Sequence, residues 1–250
     1  MIVPGAPLLR GGILAAGEGS RFLAAGIATP KPLVVVSGRT LLDRTLDHFR
    51  RAGVRHVTLV TNAAFGPELA RTAATVTDLE LQVVAQDTPS SLHTLAVLSA
   101  CAPAGRLLVT TIDSVMAPTD VARFAHAFRS SPANALLSYT DFVDDEKPLR
   151  ISLDGPTQRV TGIGETAHES PFVTMGMYGF DDLCRARAQT AAAAGVSRLR
   201  RFLALIVQGE ADGRRSDLAV AGFRLGKAID VDRPEDVVVA EDFLEREGWE

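Results

Sequence analysis

Cysteine is scarce in this 250-residue chain: Cys101 and Cys184 stand far apart and form no CxxC pair. That excludes a disulfide framework and a thiolate zinc site, and predicts ordinary buried thiols of a reducing compartment. Long apolar runs are missing too, and none approaches the roughly 18 residues of a membrane span. The opening MIVPGAPLLRGG carries prolines and glycines where a signal peptide needs an apolar helix, so a soluble cytoplasmic protein is expected. Basic charge is not in excess, with 26 Lys and Arg against 30 Asp and Glu and a formal net charge of -4. A nucleic-acid backbone is therefore not the expected partner, which leaves room for a local basic pocket. The five histidines, His48, His56, His93, His126 and His168, are scattered with no HxH or HExxH, arguing against a zinc or haem site. A GxSxG nucleophile elbow is absent. So is a GxxxxGK[ST] phosphate loop, and a GxGxxG fingerprint fails because Phe22 stands where its third glycine belongs. No linker, low-complexity tract or internal repeat interrupts the chain.

Hydrophobic residues make up 46% of the sequence, enough for a sizeable core. Apolar runs alternate with helical patterns up to about residue 140. Strands are expected at Ile13–Ala16, His56–Thr61, Leu81–Ala85, Arg106–Ile112 and Ala135–Thr140. Helices are expected at 40–53, 67–75, 91–100 and 119–130. Gly11 and Gly12 predict a first strand that is short or begins irregularly. This order implies a Rossmann-like α/β fold, with a mixed, mostly parallel central sheet and helices on both faces. After Asp141 the rhythm changes. Residues 148–154 and 159–165 read as a β-hairpin around Asp154-Gly155, a small antiparallel insert. A strand at 172–180, helices at 182–194 and 197–209, a strand at 218–225 and a last helix from Pro234 complete the pattern. One domain over 1–250 is expected, with halves at about 1–140 and 141–250.

The stretch GGILAAGEGSRFLAAGIATPKPL, Gly11 to Leu33, has the makings of a phosphate cradle. Glycines let backbone N–H groups converge on an anion. Arg21 can fork onto phosphate oxygens and Lys31 can add a point charge. A strand-to-loop turn with surface cations accounts for the glycines equally well. The compound pattern is more specific. LAAGEGSR followed by PKPL and SGRTLLDRTL resembles the N-terminal signature of the sugar-phosphate nucleotidyltransferase and MobA-like NTP transferase superfamily, which includes choline-phosphate and inositol-phosphate cytidylyltransferases. The resemblance implies the nucleotidyltransferase variant of the α/β fold. It also implies an NTP held by Leu14, Ala15, Ala16, Gly17, Gly19 and Ser20, with Arg21 and Lys31 as catalytic cations. The 1–140 half then binds the NTP and the 141–250 half the acceptor.

The reaction so implied joins an NTP to a small phosphorylated acceptor with loss of pyrophosphate, and Mg²⁺ is the expected cofactor. An Asp after a strand is commonly a cap or turn residue. The resemblance assigns Asp113 to the metal, along with Asp230 in AIDVDRPEDV. Asp232 is held as a further metal candidate beside its other role of capping the last helix. The glycine-threonine pair that helps hold the base in the family is replaced by QDTPSSLHTL, so Gln86, Ser90 and Ser91 are the base- or ribose-side candidates. The Glu-Lys-Pro that contacts a sugar phosphate is reduced to Glu165 followed by Thr166. Lys147, Glu165, Gly176 and Lys227 are the acceptor-side candidates, with Lys147 equally readable as part of a solvated turn. Arg198, Arg200 and Arg201 read as solvent-facing and stay outside the expected site. A sugar-1-phosphate is the leading acceptor. Cytidylyl transfer to a phospho-alcohol or phosphonate is the alternative, and a non-catalytic nucleotide-binding regulator is a reading of another class. No nucleic acid or membrane partner is expected, and a homo-oligomer is left open.

Overall fold

In the computed structural model, residues 8–143, 148–209 and 216–249 are described. The chain opens with β1 (Leu9–Ala15), a short helix α1 (Ser20–Ala24) and a two-strand ribbon of β2 (Val35–Val36) and β3 (Arg39–Thr40). Then come α2 (Leu41–Arg51), β4 (His56–Thr61), α3 (Gly66–Ala73), β5 (Glu80–Ala85) and α4 (Ser91–Cys101). β6 (Arg106–Thr111), β7 (Ser114–Met116), α5 (Pro118–Ser130) and β8 (Ala135–Thr140) follow. The remainder is β9 (Ile151–Leu153), β10 (Val160–Ile163), β11 (Val173–Phe180), α6 (Asp182–Ala193), α7 (Leu199–Gln208), β12 (Val220–Arg224), β13 (Ala228–Asp230) and α8 (Pro234–Glu247).

A seven-stranded sheet runs in the order β12-β8-β11-β6-β1-β4-β5. β11 is antiparallel to both of its neighbours, and the other pairings are parallel. The fold is therefore the mixed, mostly parallel α/β architecture expected. β9 and β10 form the antiparallel hairpin around Asp154-Gly155. After β5 the chain crosses back over β1 to lay down β6, so strand order reverses around β1. Ligands of open α/β sheets bind in the crevice beyond the carboxyl ends of strands at such a reversal.

The expected helices form where their apolar faces have somewhere to go. Leu42, Leu46 and Phe49 of α2 are all buried. Thr40 starts this helix by accepting the Asp43 N–H at 3.0 Å, and Gly53 ends it in the left-handed region at φ 71°. Two expectations need correcting. The first strand is neither short nor irregular: it runs seven residues through Gly11 and Gly12 and pairs without interruption on both sides. A Cβ on Gly12 would sit 2.6 Å from the Leu98 side chain, and one on Gly11 would sit 3.0 Å from Val57 and 3.2 Å from Phe49. These glycines let helices and neighbouring strands close tightly over the central strand. The thiols also differ from expectation, since Cys184 is buried but Cys101 is exposed. Burial pushes the Cys184 thiol pKa well up, which keeps it protonated and inert.

Two three-residue strands lay out the crevice. β7 leaves the end of β6, and β13 returns just before α8. They pair antiparallel with Ser114 opposite Asp230 and Met116 opposite Ala228. The Val231 N–H donates to the Asp113 carbonyl at 3.0 Å and extends the contact. This small ladder brings the segment carrying Asp113 against the one carrying Asp230 and Asp232.

Candidate active site

A cavity of about 1060 Å³ opens at the carboxyl ends of the central strands. From the N-terminal signature, Leu14, Ala16, Gly17 and Arg21 line it, together with Glu18. Ala15 is buried in the core behind them. Gly19, in the left-handed region at φ 63°, turns the chain into α1, where Ser20 is the first residue. Neither Gly19 nor Ser20 is among the cavity-lining residues. Glycine is needed at position 19 for that turn, since few side chains tolerate the conformation. The Asn62 amide reaches the Gly17 carbonyl at 3.5 Å and ties the loop to the end of β4.

The charged groups meet at one place. The Lys31 ammonium lies 2.8 Å from Asp113 Oδ2 and 2.5 Å from Asp232 Oδ1, and Arg21 Nη1 lies 3.0 Å from Asp232 Oδ2. Burial works to lower the Lys31 pKa, but the attraction of Asp113 and Asp232 outweighs it and holds the ammonium above its usual range. Burial likewise works to raise the Asp113 pKa, and Lys31 outweighs it, so Asp113 is ionised. Asp232 is itself fixed from behind: its N–H and that of Arg233 donate to Asp236 Oδ2 at 2.8 and 2.7 Å, at the start of α8.

Asp230 behaves differently. Its Oδ1 accepts the Ser114 hydroxyl at 2.6 Å, and Ser114 lies 3.1 Å from the Thr111 hydroxyl. The residue is exposed to the cavity, yet removal from bulk water, followed by the charge of Asp113, pushes its carboxyl up to about 7. The Tyr178 hydroxyl, buried on the same cavity wall, is pushed well above its ordinary value by burial and then by Asp230 and Asp113. Two carboxylates thus crowd each other at the cavity surface, a situation that a divalent cation relieves. Among the described residues no group of three or more His, Cys, Asp and Glu side chains could hold a metal ion. A hard cation that takes one or two carboxylates and completes its shell with phosphate oxygens and water fits this donor set, which is the habit of Mg²⁺.

The remaining candidates separate. Ser90, Ser91 and Gly176 line the cavity. Gln86 does not; it is exposed, and its N–H caps the Thr61 carbonyl at the sheet edge. Glu165 lies on an exposed turn away from the cavity lining. The Thr166 hydroxyl accepts the Ile163 N–H and the Gln208 amide at 3.0 and 2.6 Å, so this position serves the local fold. Lys227 reaches the cavity rim indirectly, its ammonium 5.3 Å from the ring centroid of Phe142, a lining residue. Lys147 lies outside the described residues.

The sequence reading missed two arginines. Arg198 and Arg200 line the cavity, although Arg201 does not. The Arg198 N–H donates to Ser90 Oγ at 3.2 Å and the Leu199 N–H to Ser91 Oγ at 2.9 Å. These bonds dock the start of α7 on the start of α4, with Arg198 held at φ 69°. No local signal marks that docking, because residues 90 and 198 meet only in the folded chain.

Comparison with known proteins follows the same lines. Residues 11–211 match the model of the MobA-like NTP transferase domain. A stretch of 57 residues is 46% identical to the CMP-5'-(3-aminopropyl)phosphonate synthase of Streptomyces rubellomurinus (strain ATCC 31215). It covers 23% of this chain and only 9% of that protein's length. The inositol-1-phosphate CTP transferase from T. maritima superposes with a TM-score of 0.77 at 16% identity, over 95% of this chain and 97% of that one. A protein described as a glucose-1-phosphate thymidylyltransferase from Bacillus anthracis, in complex with a sucrose, gives 0.79 at 14% identity over 94% of both chains. At these identities the structural likeness is one of fold.

Proposed function

The chain belongs to the MobA-like NTP transferase family and is a nucleotidyltransferase, and on that premise we propose that it transfers CMP from CTP to a small phosphonate or phosphorylated alcohol, with Mg²⁺, releasing pyrophosphate. The observation that carries the reading is the convergence of Arg21, Asp113 and Asp230 on one cavity that Arg198 and Arg200 also line, with the Lys31 ammonium held 2.8 Å from Asp113. Of the two acceptor classes expected from the sequence, this one has the support of the phosphonate synthase match. It also has the support of Thr166, whose hydroxyl is committed to its own turn where a sugar-phosphate lysine would stand.

An oxygen of the acceptor attacks the α-phosphorus of the nucleotide. A new P–O bond forms, the bond to the bridging oxygen breaks, and the electron pair leaves with pyrophosphate. A phosphate-monoester acceptor is already largely a dianion near neutral pH, given a second pKa of about 6, and a phosphonate carries at least one ionised oxygen there, so the chain needs no general base to create the attacking oxygen. Its residues align charge instead. Arg21 and Lys31 are held in place by Asp232 and exchange that carboxylate for the triphosphate. Gly17 keeps the approach free of side-chain bulk. Asp113 and Asp230 would hold the Mg²⁺, which would supply neutralisation of phosphate charge. Ser114 orients Asp230 for that task. Arg198 and Arg200 offer planar forks to the acceptor's phosphoryl group.

A pyrophosphate-release screen of four NTPs against phosphonates, phospho-alcohols and sugar-1-phosphates tests the reading. Turnover with CTP and a member of the first two classes is expected. Turnover confined to UTP or dTTP with a hexose-1-phosphate would overturn the acceptor assignment, and no release with any pair would overturn the activity itself.

A further inference from the structure

A second cavity, of about 260 Å³, lies behind β7 between α2 and the end of α8. Its charged lining is one-sided: Arg39, Arg44 and Arg51 face it against a single carboxylate, Asp47, which Arg51 already pairs at 2.8 Å. Arg44 is buried, and its Nε and Nη2 donate to the Val36 carbonyl at 3.2 and 2.7 Å. That anchors the guanidinium and leaves Nη1 without a hydrogen-bond partner among the described residues. His48 is 8% exposed, and neither ring nitrogen has a hydrogen-bond partner among the described residues. Burial first, and then the surrounding arginines against the pull of Asp47, hold this imidazole down at about 4, so it is neutral near pH 7. The Arg44 Nη1 and the His48 ring nitrogens are not among the fully buried polar atoms that lack a partner, so these groups are reached from the cavity and its water. The remaining walls are mostly apolar or aromatic, with Val115, Met116, Leu244 and Trp249 beside Thr119.

We propose that this cavity is an effector site for a small organic phosphate or phosphonate, bound by Arg39, Arg44 and Arg51 with its organic part against Met116 and Trp249. Arginine forks match phosphoryl oxygens, and the cavity is too small for a whole nucleotide to be enclosed. Occupancy is felt at the active site through β7. Val115 and Met116 form the wall of this cavity, and the next residue back, Ser114, holds Asp230 on the other side. The strand is only three residues long, so a ligand packed against Met116 bears directly on the ladder that sets the spacing of Asp113 and Asp230.

Trp249 is the one tryptophan of the chain and lines this cavity, so its emission reports occupancy. The experiment titrates inorganic phosphate and methylphosphonate into the whole protein at constant ionic strength, following Trp249 fluorescence. Wild type and Arg21→Ala, which disables the larger cavity, are expected to give the same saturable change. Arg39→Ala/Arg51→Ala, whose folding is checked by its melting temperature, is expected to raise the midpoint roughly ten-fold or more, as charge-assisted hydrogen bonds are lost. Arg51→Glu is the second variant, at an exposed position, and is expected to act in the same direction. The initial transfer rate should respond to the same anions in wild type and not in Arg39→Ala/Arg51→Ala. The proposal is overturned by a response that sodium chloride reproduces, by an absent saturable change, by one lost in Arg21→Ala, or by an unchanged midpoint in both arginine variants. Because the first readout is fluorescence, it stands or falls separately from the acceptor assignment.

Discussion

Gly176 offers a sharp test of how the carboxylates proposed to hold the metal are set. The sequence places Gly176 among the acceptor-side candidates, where a glycine would let a substrate approach the backbone. The structure gives another reason: a Cβ at this position would collide with both the Thr111 and Ser114 hydroxyls and lie 3.3 Å from Ser114 Cβ. Ser114 Oγ is the group that donates to Asp230 at 2.6 Å. Gly176→Ala therefore forces Ser114 to turn away, or the strands β6 and β11 to separate. Over-packing of this kind costs about 1–3 kcal/mol, or roughly 2–10 °C in melting temperature for a chain of this size. The larger effect falls on chemistry. With Ser114 displaced, Asp230 loses its orienting bond, and kcat is expected to fall about ten-fold or more, as when a preorganised group is loosened. The acceptor KM should move little. A double-mutant cycle isolates the cause. In a Thr111→Ala/Ser114→Ala background the alanine at 176 has room, so its additional cost in stability should largely vanish. A Gly176→Ala enzyme with full stability and kcat would refute the steric argument. An equal cost in both backgrounds, or an effect confined to acceptor KM, would return the glycine to the role of admitting substrate.

Lys31→Ala and Arg21→Ala should each lower the transfer rate about 10²-fold, and Lys31→Arg should recover only part of it, because a planar fork cannot sit between Asp113 and Asp232 as an ammonium does; steady-state kinetics at saturating NTP decide this. Arg198→Ala and Arg200→Ala should raise the acceptor KM while leaving NTP affinity unchanged by calorimetry without acceptor, and a loss of NTP affinity would move them to the nucleotide side. His48 predicts a pH-dependent stability: its folded pKa of about 4 lies below the ordinary 6.5, so the unfolded chain binds the extra proton. Stability is then fully present above about pH 6.5 and declines as pH falls toward 4, by roughly 3 kcal/mol at most. His48→Gln should flatten that decline in denaturant titrations, and an unchanged slope would show that the imidazole titrates normally.

What could be read from the sequence was what local chemistry determines. LAAGEGSR and PKPL were legible because a bare backbone followed by spaced cations is an arrangement of neighbours in the chain. The buried strands were legible for a similar reason: His56–Thr61 and Ala135–Thr140 are continuous apolar or β-branched runs bounded by polar turns, and they form over those residues. The features that build the candidate site are of another kind. β7 and β13 have three residues each, too few to display an alternation, and each exists because the other is there to accept its hydrogen bonds. Their pairing places Asp230 against Ser114 across 116 positions of sequence, and that contact, rather than the residue type, distinguishes an orienting serine from a turn serine. Arg198 and Arg200 were hidden for the same reason. Arginines on a helix usually face solvent, and only the hydroxyls of Ser90 and Ser91, reaching the first N–H groups at the start of α7, turn that end toward the cavity. Gly11 and Gly12 show the converse error. Taken alone, two glycines weaken a strand, but Leu98 and Phe49 pack so closely on β1 that a side chain at either position would push them away. A residue whose local preference opposes its observed conformation marks a place where packing decides, and at β1 that packing fixes the sheet whose carboxyl edge carries the cavity.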